Sequence, residues 1–118
     1  MEDEKRRFAM SWSTKQKFAV LKSIAYLVGA DKKIAPQEMQ VISGFLNRYG
    51  LDMSAMNEQA NMSQSEMEEI ISELSASDKD LIKSYWRETI TCDGDVDDRE
   101  VEILVMMAEN CGIDLENF

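Results

Sequence analysis

The chain has no histidine. That excludes Ser–His and Cys–His nucleophile pairs, His-ligated zinc sites and the Glu-x-x-His signature of di-iron bundles. Proline occurs once and glycine five times. This is too little turn chemistry for a sandwich or barrel, and the scattered glycines supply no phosphate-cradling loop. The two cysteines, Cys92 and Cys111, form no C-x-x-C pair and read as small, reduced core residues. No apolar run approaches the length that crosses a bilayer, and residues 1–7 mix acids with bases and lack a signal-peptide h-region. The expectation is a cytoplasmic protein that is not an enzyme and has no transmembrane segment. It would meet a membrane only through a partner.

What is present points to one helical domain. The 118 residues are 44% hydrophobic and 31% charged, enough to bury about two thirds of the surface an unfolded chain exposes. Acids number 23 against 13 basic residues, a net charge of −10. The imbalance is lopsided. Residues 1–52 carry nine basic and six acidic side chains, and residues 53–118 carry four and seventeen. Such a field repels phosphate backbones, so nucleic acid is not an expected partner. It attracts cations or a basic protein surface, most strongly at low salt.

Helix signals recur along the chain. Residues 1–12 read as a flexible leader, with Trp12 either folding back on the body or anchoring a partner. Ser13 and Gln16 fit a capping box, opening a helix with Phe18, Leu21, Ile24, Ala25 and Val28 on one stripe. Pro36 suits the first turn of a second helix, whose stripe is Met39, Ile42, Phe45, Leu46 and Tyr49, with Gly50 as its stop. Residues 51–62 give a weak short-helix signal, with Met53, Met56 and Met62 expected to cover the core. Ser63 with Glu66 opens a helix that turns Met67, Ile70, Ile71 and Leu74 inward. Ser77 with Asp80 opens another, carrying Leu81, Ile82, Tyr85, Trp86, Thr89 and Ile90. The last long helix begins after Asp97, with Val101, Leu104, Val105, Ala108 and Cys111 facing the core and Gly112 ending it. The fold class is therefore all-α: a single bundle of about five to seven helices over residues 13–118.

Shifting the sequence by 62 residues brings two loops into register. Asp31 falls on Asp93, Ile34 on Val96, Glu38 on Glu100 and Ile42 on Leu104; Gly50, Leu51 and Asp52 fall on Gly112, Ile113 and Asp114. Two halves, approximately 14–52 and 78–114, thus read as helical hairpins packed about a pseudo-twofold axis. In each, the loop Asp accepts backbone N–H groups, the Ile or Val three residues on plugs the loop into the core, and the Glu lies in the next first turn.

The segment Thr91-Cys92-Asp93-Gly94-Asp95-Val96-Asp97-Asp98-Arg99-Glu100, followed by Cys111-Gly112-Ile113-Asp114, resembles the second Asp-Gly loop of TerB-like domains. Gly29-Ala30-Asp31-Lys32-Lys33-Ile34-Ala35-Pro36-Gln37-Glu38 resembles the first, with Lys32 and Lys33 in place of the usual Gly and small polar residue. The family includes bacterial tellurite-resistance TerB proteins and the N-terminal region of membrane-anchored J-domain co-chaperones. The resemblance implies about seven helices, pseudo-twofold symmetry, no catalytic activity, a stress-response or envelope-associated setting, and loop acids as the place for a metal ion.

The acids Asp93, Asp95, Asp97, Asp98 and Glu100 are the sharpest feature, and the pseudo-symmetry would bring Asp31 and Glu38 towards them. Alternating acids on a tight loop can offer several oxygens to Ca²⁺ or Mg²⁺. An EF-hand is excluded, because Asp98 stands where its glycine belongs and Leu104 where its bidentate Glu belongs. Three readings follow. The acids form a face for a basic protein partner, they hold a divalent cation weakly, or they only cap a turn and a helix in a scaffold.

Overall fold

Three serines set where helices begin. Ser13, Ser63 and Ser75 each hold extended backbone and accept an N–H from the residue three further on, Gln16, Glu66 and Asp78, at 3.1 Å. Ser13 completes the reciprocal box, its own N–H donating to Gln16 Oε1 at 2.8 Å. The computed structural model describes residues 12–29, 36–92, 94 and 96–116. Among these it has six helices and no strand: α1 (Thr14–Val28), α2 (Pro36–Arg48), α3 (Ser54–Ala60), α4 (Gln64–Ser72), α5 (Ala76–Thr91) and α6 (Asp98–Cys111). Helix α5 starts after Ser75, not after Ser77 as the capping pattern suggested. No described helix is long and apolar enough to cross a membrane.

The 62-residue repeat is written into the backbone. Helices α1 and α5 begin at 14 and 76, and α2 and α6 at 36 and 98. Both hairpins stop the same way. Gly50 and Gly112 take left-handed φ values of 68° and 69°, which lets the next amide reach back along the helix. Leu51 N donates to Leu46 O and Ile113 N to Ala108 O, each at 2.8 Å. The following aspartates then fold matching turns, Asp52 Oδ1 accepting from Ser54 N at 2.9 Å and Asp114 Oδ1 from Glu116 N at 2.8 Å. Hydrogen bonds from the Ser54 hydroxyl and N–H hold the Asp52 carboxyl below its ordinary pKa.

Helix α1 is the hub of the bundle, contacting every other helix. Ala19, Val20, Leu21, Ser23, Ile24 and Leu27 are all fully buried, so it is enclosed on nearly every side where a single stripe was expected. Short helices α3 and α4 cause this, because they close over the flank that α2, α5 and α6 leave open. Each fully buried Leu or Ile contributes roughly 1.5–3 kcal/mol relative to exposure. Ser23 is tolerated at this depth because its hydroxyl donates to Val20 O at 2.6 Å and accepts from Trp86 Nε1 at 2.8 Å. Lys22, also buried, donates to Gln59 O near the C-terminal end of α3 at 3.2 Å and lies over the Tyr26 ring. There it complements the helix dipole.

Trp12 settles onto the body, 4% exposed, stacked on Tyr49 at 5.4 Å between ring centroids. Phe45, Tyr49 and Tyr85 continue the aromatic cluster and join α2 to α5. Tyr49 and Tyr85 share a hydroxyl–hydroxyl hydrogen bond, and Arg48 donates to Tyr85 Oη at 2.9 Å. Of the three connecting methionines, Met62 is buried, Met56 half-buried and Met53 exposed.

Candidate functional site

The acidic residues at the start of α6 divide into buried and exposed groups. Glu100 is 4% exposed, and its repeat partner Glu38, in the first turn of α2, is 3% exposed. Neither is without an interaction partner. Two glutamates expected on an acidic surface thus turn inward at matching places in both hairpins. A first-turn carboxylate is favoured by the positive end of its own helix, and a buried one persists only when its oxygens are satisfied. Asp97 is the N-cap of α6, its carboxylate accepting Arg99 N–H at 2.7 Å. Asp98 is exposed. Asp31, Asp93 and Asp95 lie outside the described residues. Among the described residues no three or more Asp, Glu or Cys side chains gather as a metal-binding group.

Val96 departs from the loop-plug expectation, being 48% exposed; Ile34, the other plug, lies outside the described residues. Val101 and Val105 also depart, at 38% and 42% exposed. The line of α6 that faces the core is Glu100, Leu104, Met107, Ala108 and Cys111. It is turned by about one residue from the stripe read off the hydrophobic spacing, which placed Val101 where Glu100 sits. The first hairpin carries the same line at Glu38, Ile42, Phe45 and Leu46, ending on Tyr49 just past α2. Adding 62 to those positions gives the buried line of α6, with buried Val41 alone mapping to a half-buried residue, Ile103, so the repeat held a signal that spacing alone missed.

The outward face of α6 therefore carries Asp98, Glu102 and Glu109 together with Val101, Val105 and Met106, all exposed. Glu102 and Glu109 were not among the expected site residues. Helix α4 lies alongside, with Asn110 Nδ2 donating to Glu68 Oε2 at 2.7 Å, and Glu69 and Glu73 on α4 and at its end are exposed. Lys15 with Glu66 is the sole ion pair among the described residues, at 3.0 Å. No ion pair among the described residues involves Asp98, Glu102 or Glu109. Cys111, at the far end of the helix, is fully buried, and burial pushes its thiol up to about 12.

This fold is shared. A solved structure of a protein of unknown function from Porphyromonas gingivalis W83 superposes with a TM-score of 0.73 at 25% sequence identity, covering 89% of this chain and 83% of that chain. No protein-family model matches the chain, and no curated protein does.

Proposed function

We propose that the chain is a non-catalytic, TerB-like binding module that receives a basic protein partner on an acidic surface. The observation carrying this reading is the division among its carboxylates. Glu38 and Glu100 are consumed inside the fold, whereas Asp98, Glu102 and Glu109 project from one helix face without a cationic partner among the described residues. Solvated acids outside the core are free to set the approach and orientation of a basic surface. The doubled hairpin, with matched caps at a spacing of 62, supports the TerB-like assignment and the bacterial stress-response or envelope-associated setting that it implies.

The test is a titration of ¹⁵N-labelled protein with a polylysine peptide and, separately, with Ca²⁺ and Mg²⁺, at about 150 mM salt. Amide shifts on residues 97–109 with the peptide, weakening steadily as salt rises, are the expected result. Saturable shifts with Ca²⁺ or Mg²⁺, confined to residues 29–38 and 93–100 and indifferent to salt, would replace this reading with a divalent-ion site. The Asp98→Asn, Glu102→Gln double variant should weaken peptide binding severalfold and change thermal stability little, because both side chains are exposed.

A further inference from the structure

The outer face of α6 carries apolar side chains that solvation does not explain. Among the described residues the exposed large hydrophobics are Met53, Val96, Val101, Val105 and Met106, and four of the five fall between 96 and 106. Valine is a poorer helix former than the Ala, Glu, Lys or Gln that surface positions normally favour. Two exposed valines one turn apart therefore cost helix stability and leave apolar surface in water.

The repeat supplies an internal control. Positions 102, 105, 106 and 109 of α6 correspond to 40, 43, 44 and 47 of α2, which hold Gln40, Ser43, Gly44 and Asn47. All four are exposed. At these four positions the first hairpin thus needs neither charge nor apolar bulk to fold, whereas the counterpart of Val101 is Met39, half-buried. In α6 the four have become Glu102, Val105, Met106 and Glu109, a change towards acids and hydrophobes together.

Their order around the helix defines what fits. At 100° per residue, Val101 and Val105 lie within roughly 40° of each other, and Asp98, Glu109 and Glu102 follow over about the next 60°. Met106 lies roughly 40° beyond them. An apolar line beside an acidic line, parallel to the axis, is complementary to a helix with aliphatic side chains at i, i+3/i+4 spacing and Lys or Arg along the adjoining edge.

We propose that α6 docks a basic amphipathic helix of a protein partner, with Val101 and Val105 as apolar contacts on one side, Met106 on the other, and Asp98, Glu102 and Glu109 as the charged strip between them. This rests on the basic-partner reading above and names the partner's chemistry. The acids set orientation and encounter rate; the valines distinguish an amphipathic helix from any other cationic segment.

The probe is a fluorescein-labelled 18-residue peptide of Leu, Lys and Ala with leucines at i, i+3/i+4 spacing. A scrambled peptide of identical composition that has no apolar face is run beside it. Fluorescence anisotropy should show the amphipathic peptide binding at least tenfold tighter than the scrambled one. The Val105→Ser, Met106→Ala variant should erase that preference, and Glu102→Gln, Glu109→Asn should flatten the salt dependence. Both variants replace exposed side chains, and far-ultraviolet circular dichroism checks that they fold. Equal binding of the two peptides, or unchanged preference in the Val105→Ser, Met106→Ala variant, would overturn the proposal and leave the acidic-surface reading standing. Binding of neither peptide would overturn both.

Discussion

Residues 13–51 carry six basic and two acidic side chains, and residues 75–113 carry four and ten. Yet each half starts its first helix after a serine cap, its second helix 22 residues later, and ends on a left-handed glycine. Several core positions are buried in both halves. Val20 matches Ile82, Ile24 matches Trp86, Ile42 matches Leu104, and Glu38 matches Glu100. The backbone plan is thus indifferent to surface charge, and the charge difference belongs to whatever the surface meets. The hairpins also differ in enclosure. Helix α1 is covered by α3 and α4, while its counterpart α5 keeps Asp80, Arg87, Glu88 and Thr91 in solvent. The segment between the hairpins breaks the symmetry, because α3 and α4 both pack on α1 while α4 also lies against α6.

The largest expected effect comes from breaking the shared core. Trp86→Ala removes a fully buried indole and strands the Ser23 hydroxyl that accepts from it; urea denaturation should show a loss of about 3–5 kcal/mol. Ile24→Ala, at the matching position of the first hairpin, should cost about 2–5 kcal/mol. A loss under about 1 kcal/mol at either place would show that one hairpin does not contribute to the common core.

A second pair of changes sharpens the comparison at the helix ends. Gly50→Ala and Gly112→Ala both place a Cβ on left-handed backbone, at about 1–2 kcal/mol each. The space around them does not separate the two. An added Cβ meets nothing at Gly50 and only ordinary contact with Lys79 Nζ, 3.5 Å away, at Gly112. Thermal melts of the two variants should therefore shift by similar amounts. A shift at only one site would mean that the other cap is not what ends its helix.

Much of this architecture was legible in the sequence, because it is carried by local chemistry. Ser13 with Gln16, Ser63 with Glu66, Gly50 and Gly112 announce helix ends through hydrogen bonds and backbone freedom that depend on near neighbours. The face of a helix is harder, because hydrophobic spacing fixes a stripe only to within about a residue. In α6 both Val101 and Glu100 satisfied the spacing, and charge argued for the wrong one. Burial of Glu100 is a tertiary decision, visible in sequence only through its agreement with Glu38. The start of α5 failed in the same way. Ser75 and Ser77 both offer a cap, and the offset of 62 from Ser13 selects Ser75. Of the acidic site, the sequence located the charge and misjudged which carboxylates face outward. The α6 contribution from Glu102, Val105, Met106 and Glu109 emerges only when the two hairpins are aligned and their exposed positions compared.

The smallest expected effect lies where the hairpins place different titratable groups at one structural position. Tyr49 and Cys111 are repeat partners, both buried. Burial, joined at Tyr49 by the hydrogen bond with Tyr85, pushes both ionisations upward. For such a group the protonated form is the one that folds. Its contribution is fully present below the unfolded pKa and is lost as pH rises towards the folded value. For Cys111 that window runs from about 9, the ordinary thiol value, to about 12, whereas tyrosine in an unfolded chain begins to ionise only near 10. Stability should therefore begin to fall one unit earlier than the tyrosines alone would dictate, by roughly 1 kcal/mol at pH 10. Urea midpoints collected from pH 7 to 11 for the wild type and Cys111→Ala test this through the slope, independently of any loss the alanine causes at neutral pH. The wild-type midpoint should decline from pH 9, and the Cys111→Ala midpoint should hold level until about pH 10. Parallel curves would mean that the thiol ionises without resistance from the fold, and that the second hairpin closes over position 111 less tightly than the first closes over position 49.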